Sequence, residues 1–296
     1  MRVLVIGATG VLGRPAVRRL VADGHEVSGL ARSAARAAVI AAQGITPVVG
    51  DLFDSSSLAA VLPGHEAVVN LATRIPSVGK AAFGAGWAAN DHVRADGSAA
   101  LVAAALECAD VRVIVQEGVS FCYADGGDAE ITEDSPLDIL RNLRSSVLAH
   151  ENVARFATDG RMGVRLRIGM LTGDDPLTRA ILTAARFGMP LTYGSPDGWA
   201  APILPADAAA GAVAALVAPS GVYNVTAGPV RKRELGAVLA EAAGVRKARS
   251  VPDGMARLLG LAAVLARSQR VVARKLTDAT GWAPASPTPH ADWFRR

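Results

Sequence analysis

Cysteine is nearly missing from this chain: 296 residues hold two, Cys108 and Cys122. Two cannot build a disulfide scaffold, and neither has metal-ligand spacing, so no metal centre is expected. Aromatic residues make up 4%, too few for the stacking platforms that single-stranded nucleic acid requires. Lysine is scarce as well, since 27 of the 31 basic residues are arginine. The longest helix-like apolar run, 255–266, falls short of the roughly 20 residues that cross a bilayer. The opening MRVLVIGATG leads directly into a folded motif and not into a signal peptide. A cytoplasmic protein acting on neither nucleic acid nor membrane is expected.

Apolar residues are plentiful at 51%, enough for a sizeable core. The length suits one large α/β domain, or one domain with a smaller lobe. A net charge of +4 is spread along the chain, so it does not single out an acidic partner. Oligomeric state is not legible.

The first half alternates short apolar runs with alanine-rich amphipathic stretches. Strands are expected at 3–6, 26–30, 46–49, 67–71, 111–115 and 163–168, with helices at 14–22, 56–62, 97–106 and 143–156. Continuous apolar strands separated by helices describe a doubly wound parallel sheet covered on both faces. After Gly169 the rhythm breaks into a Gly/Pro-rich stretch with one helix, 178–187; a strand at 222–225 and a helix at 233–243 follow. The expected organisation is a dinucleotide-binding domain over 1–170, with 203–228 returning to it. Segments 171–202 and 229–296 would form a smaller interleaved substrate lobe.

Gly7-Ala-Thr-Gly10-Val-Leu-Gly13 lies between the first strand and the first helix. Gly7 permits the tight turn, Gly10 lets backbone N–H groups approach a pyrophosphate, and Gly13 allows close helix packing. Thr9, Val11 and Leu12 complete the loop. The second strand runs into Leu30-Ala31-Arg32-Ser33 with Arg36 following. An acidic residue there would hold an NAD ribose. Its absence, with a guanidinium in its place, favours the 2′-phosphate of NADP(H); a plain surface arginine at a helix start is the alternative. Asp51 and Leu52 stand where such folds meet adenine, although Asp51 could equally cap the next helix. Leu71, Ala72 and Thr73 border the central cofactor, and Gly118 with Gly169, Met170 and Leu171 its nicotinamide end, by the rule that ligands sit at strand carboxyl ends.

These motifs resemble the extended and atypical short-chain dehydrogenase/reductases, the group with nucleotide-sugar epimerases and dehydratases. The resemblance spans residue 1 to about 244. It rests on GATGVLG, GDLFD at 50–54, NLAT at 70–73, NDHVRADGSAALVAAA at 90–105, SFCYADGGDAEITEDSP at 120–136 and PILPADAAAGAVAAL followed by GVYNV. It implies a Ser/Tyr/Lys triad, the Tyr donating a proton and the Ser polarising a carbonyl. Here those positions fall on Val119, Leu143 and Val147, all apolar.

Three substitutes are considered for the missing acid. Glu117 ends the fifth strand and could transfer a proton, or serve only as a hydrogen bonder. Ser120 lies one place late, and Tyr123 matches a loop tyrosine that is usually structural. His92 and His150 read as exposed helix residues. The resemblance extends to ketoreductases that tailor angucyclinone-type aromatic polyketides in antibiotic biosynthesis. It implies an NADPH-dependent ketoreductase with an aromatic small-molecule substrate that supplies its own hydrogen bond. The alternatives are a redox-inactive NADP(H)-binding sensor and an epimerase/dehydratase-like enzyme using Glu117. Val119, Ser120, Leu143 and Val147 would line the substrate site. Met189, Leu191, Tyr193 and Trp199, on the Gly/Pro-rich segment 187–202, would cover it, either as a lid or as a fixed connection. Arg179, Arg186, Arg231 and Arg233 could bind a diphosphate or be solvated. Arg267, Arg270, Arg274 and Lys275 are spaced as one helix stripe.

Overall fold

In the computed structural model, residues 1–76, 86–256, 258 and 261–294 are described, Leu261 by its backbone alone. Seven parallel strands build the sheet: β1 (Arg2–Ile6), β2 (Glu26–Ala31), β3 (Thr46–Val49), β4 (Ala67–Asn70), β5 (Val113–Gln116), β6 (Met162–Ile168) and β7 (Gly221–Val225). Their spatial order is β7-β6-β5-β4-β1-β2-β3. The order reverses between β1 and β4, which opens a crevice at their carboxyl ends. This is a doubly wound Rossmann-like fold, as the alternation predicts.

The helices follow from the same pattern: α1 (Gly13–Ala22), α2 (Ala34–Ala41), α3 (Ser55–Val61), α4 (Ala88–Glu107), α5 (Arg144–Phe156), α6 (Pro176–Ala185), α7 (Pro205–Ala214) and α8 (Lys232–Ala243). The residues of β1 are buried from Val3 to Ile6 because side chains of both pleats meet helices. One core gathers Val3, Val5, Val17 and Leu20 with Val225 and Trp282; the other face gathers Leu4, Ile6, Leu101, Ile114 and Phe156. The expected helix at 97–106 is the last half of the longer α4, whose first turns carry Asn90, Asp91 and Arg94 and look polar in sequence. Residues 141–143 form a 3-10 turn, so the helix expected from 143 starts at Arg144.

After β6 the chain leaves the sheet and returns. Segment 203–228 contains α7, packed on α1, and β7, paired along β6. A smaller lobe assembles around Leu182, Leu191, Leu235 and Leu239. Four pairs of two-residue strands stitch the loops: 130–131 with 270–271, 170–171 with 202–203, 192–193 with 250–251, and 199–200 with 230–231. Among the described residues, no helix is long and apolar enough to cross a membrane.

Candidate functional site

The glycine loop is held by contacts that leave no room for side chains. Gly7 has φ +85°, and a Cβ there would lie 2.8 Å from the Ala72 nitrogen. At Gly13 a Cβ would lie 2.0 Å from the Gly7 carbonyl. The Gly10 N–H donates to the Gly7 carbonyl at 2.9 Å, closing the turn. Thr9 and Val11 line the loop, Leu12 is buried, and Leu71, Ala72 and Thr73 follow β4 across the crevice. This cradle at the start of α1 fits a dinucleotide pyrophosphate.

Arg32 is exposed immediately after β2, and Arg36 is exposed on α2. Ser33 caps α2, its hydroxyl accepting from the Arg36 N–H at 3.3 Å. Asp51 does not cap the next helix: Asp54 does, accepting from the Ser56 N–H at 2.9 Å. The Asp51 carboxylate instead takes the Phe53 N–H, and Leu52 is buried beneath it.

At the nicotinamide end, Gly118 and Gly169 carry the chain past obstacles. A Cβ on Gly118 would strike the His150 imidazole, and one on Gly169 the Ala201 carbonyl. Val119 bridges to Ile168, Leu143 is buried, and Val147 is half-buried on α5. None of the three can donate a hydrogen bond from its side chain.

The polar neighbours are already engaged. Glu117 is buried and grips Arg94 with both oxygens, at 2.9 and 2.8 Å. Burial works against the charge on Arg94, and the Glu117 carboxylate outweighs it. As a proton donor or base, Glu117 would have to abandon this pair, so the acid expectation gives way to the hydrogen-bonding one. Tyr123 is fully buried; its hydroxyl donates to Asn224 Oδ1 at 2.7 Å and accepts from Arg167 at 2.8 Å. Burial, opposed by Arg167, pushes its pKa up to about 12. That makes it a strut. Ser120 is buried at the start of a 3-10 turn and borders a small cavity with Phe121, Met170, Trp199, Lys232 and Gln269.

The four cover residues do not form one apolar sheet. Leu191 is in the core of the small lobe, Met189 is exposed, and Tyr193 packs near the 261–266 helix. Trp199 reaches the cavity; its indole donates to Asp128 at 2.9 Å and lies under the Arg231 guanidinium. With its short strands, segment 187–202 is stitched at three places, which describes a built-in wall better than a loose flap.

Sequence reasoning missed Lys232, whose charge gives no hint of burial. Its ammonium donates to the carbonyls of Tyr193, Leu265 and Ala266 at 2.7–2.9 Å. Burial pulls its pKa down to about 8, against Asp125 and Asp253. His150 was misread too. It is buried, and burial followed by Arg167, Arg165 and Arg94 holds its pKa at about 3. His92 is exposed as expected, stacked on Phe53 and bonded to Asp96. The helix stripe dissolves: Arg267 is buried against three backbone carbonyls, Arg270 is on a short strand, and the last helix starts at Arg274. Arg179, Arg231 and Arg233 pair with Asp174, Asp128 and Asp197, and Arg186 caps the end of α8 at the Ala243 carbonyl. Those four are spoken for within the chain.

Comparisons with known proteins agree with this geometry. A family described as NAD(P)H-binding matches residues 7–185. A Streptomyces protein named 3-diazoavenalumate denitrifying reductase is 32% identical over 97% of both chains. The photosystem II assembly factor Ycf39 of Synechocystis is 41% identical over 25% of this chain. Human epimerase family protein SDR39U1, solved with NADPH, superposes with TM-score 0.76 at 25% identity over 99% of this chain and 98% of that one. The dTDP-glucose 4,6-dehydratase DesIV of Streptomyces venezuelae, solved with NAD, shares the fold at TM-score 0.76 and 22% identity, over 99% and 95%.

Proposed function

This chain belongs to the NAD(P)H-binding family, and we propose that within it the protein is an NADPH-dependent reductase of an aromatic small molecule. The substrate we favour is a polycyclic, angucyclinone-type polyketide ketone of antibiotic biosynthesis, reduced with the substrate's own help. When bound, the cofactor supplies a hydride. The loop 7–13 would hold its pyrophosphate, Arg32 its 2′-phosphate, and Gly118 with 169–171 its nicotinamide end.

One observation carries the reading. Val119, Leu143 and Val147 are apolar, while Glu117 and Tyr123 are tied to Arg94 and to Arg167 with Asn224. Among the described residues, these five positions bring no free acid to a carbonyl oxygen. A ketone beside a phenol needs none, because the phenol passes its proton to the oxygen as the hydride adds to carbon. What remains for the chain is alignment, worth roughly 7–11 kcal/mol in well-oriented reactions.

A second reading is favoured by the full-length likeness to a denitrifying reductase. A diazo group brings its own leaving group, so hydrogen can replace nitrogen on carbon, with N2 released, and again no oxyanion needs a donor. NADPH consumption decides between them. The purified protein is offered an ortho-hydroxyaryl polycyclic ketone, its O-methyl ether and an aryl diazo acid. Reduction of the first with loss on methylation supports the ketone reading. Nitrogen release from the third supports the second. Equal rates for phenol and ether would overturn substrate assistance.

A further inference from the structure

A second cavity, of about 170 Å³, opens on the far side of the 120–122 turn from the Ser120 cavity. It is lined by Cys122, Leu137, Ser146, Val147, His150, Glu151, Ala154, Arg165, Arg167 and Val222. Its floor is the β6–β7 edge of the sheet and its wall is α5. Arg165 and Arg167 stand two apart on β6, so they project on the same side of the strand.

Their charges are poorly matched. Arg167 is engaged with the Tyr123 hydroxyl and the Glu133 carbonyl, at 2.8 and 3.0 Å. Arg165 has its Nε buried with no hydrogen-bond partner among the described residues. Burial and the like charge of Arg167 both push its pKa below the ordinary arginine value, and no carboxylate counters them. Beside them His150 is buried, with its Nε2 turned towards Gly118 and the Leu166 carbonyl. Glu151 is the one carboxylate on the lining, and it is exposed. An Nε–H buried without a partner is costly. A cavity beside it that holds several waters, at about 30 Å³ each, offers room for what is missing.

We propose that this cleft binds a small oxyanion, a phosphate or a carboxylate, with Arg165 as its principal ligand and Arg167 and Ser146 beside it. The ligand would neutralise the arginine pair on the edge of the sheet. The volume admits inorganic phosphate or a benzoate-sized acid. Val147 lines this cleft as well, but the proposed ligands include no residue of the glycine loop, and the proposal does not rest on the reductase reading.

The test uses the full chain saturated with NADP+, so that phosphate cannot occupy the glycine loop. Inorganic phosphate and benzoate are titrated separately at constant ionic strength, by calorimetry and by NMR of the His150 ring. Saturable binding of at least one is expected, with the His150 resonance moving. Arg165→Gln should weaken it about tenfold or more, the loss of a charge-assisted bond. Arg165→Lys should retain part of the affinity, and Arg155→Gln, an exposed change on α5 away from the lining, all of it. Phosphate binding alone or benzoate binding alone identifies the anion. No saturable binding of either, or equal affinity in Arg165→Gln, overturns the proposal.

Discussion

Replacing Glu117 by Gln separates a strut from an acid. The carboxylate and the Arg94 guanidinium are each 3% exposed and meet through two hydrogen bonds. An amide keeps the shape but leaves a buried positive charge uncompensated. Breaking a buried pair in this way costs about 3–5 kcal/mol. For a chain of this size the melting temperature should fall on the order of 10 °C. Removing both charges, as Glu117→Gln with Arg94→Met, should recover a large part of the loss, because the desolvated ion is gone. Thermal melts of the wild type, both single variants and the double variant close the cycle. Single-turnover reduction below the melting point gives the second axis. A strut predicts hydride-transfer rates within about tenfold of wild type in the folded variants. A rate loss of roughly 10²–10⁴ with little change in stability would refute the reasoning and make Glu117 the proton donor.

Arg32→Ala should weaken NADPH by about tenfold to a hundredfold, the value of one charge-assisted phosphate contact, while barely touching NADH; equal losses in fluorescence titrations would mean a purely structural Arg32. Gly13→Ala should abolish cofactor binding, since its Cβ would overlap the Gly7 carbonyl; calorimetry with NADP+ showing wild-type affinity would contradict the cradle. His150 is neutral in the fold, with a pKa of about 3 against 6.5 ordinarily, so the unfolded chain gains its proton first as pH falls. Its contribution to stability is whole above about pH 6.5 and fades towards pH 3, by up to about 1.4 kcal/mol per pH unit. Urea melts of His150→Gln should show a shallower acid loss than wild type, and parallel curves would contradict this account.

The cofactor half was legible because backbone geometry dictates residue type there. Only glycine satisfies the Gly7 and Gly13 contacts, so the loop declares itself in sequence. The apolar triad positions were legible as departures from a resembled pattern. Burial of titratable groups was not: Arg94, Lys232 and Arg267 have ordinary helix or loop neighbours in sequence and partners far along the chain, and His150 is buried by residues equally distant in sequence. The two-residue strands that stitch the small lobe were also hidden, since period-two alternation needs more residues than they have. Asp51 and Asp54 show a finer limit. Both precede the same helix with cap chemistry, and only the turn geometry decides which backbone amide each carboxylate meets.

The late return of the chain to the sheet has a consequence for synthesis. β6 is complete at Ile168, but the strand that covers its open side comes only with 221–225. While the ribosome makes the intervening residues, β6 is a bare edge, the kind of surface on which nascent chains aggregate. Arg165 and Arg167 sit on that edge, and inward or edge charges discourage pairing with strangers. The same two arginines that leave the finished fold short of a counter-charge would thus act earlier as a guard. A ribosome-stalled chain ending near residue 200 should be markedly more aggregation-prone with both arginines changed to Val than with the native pair.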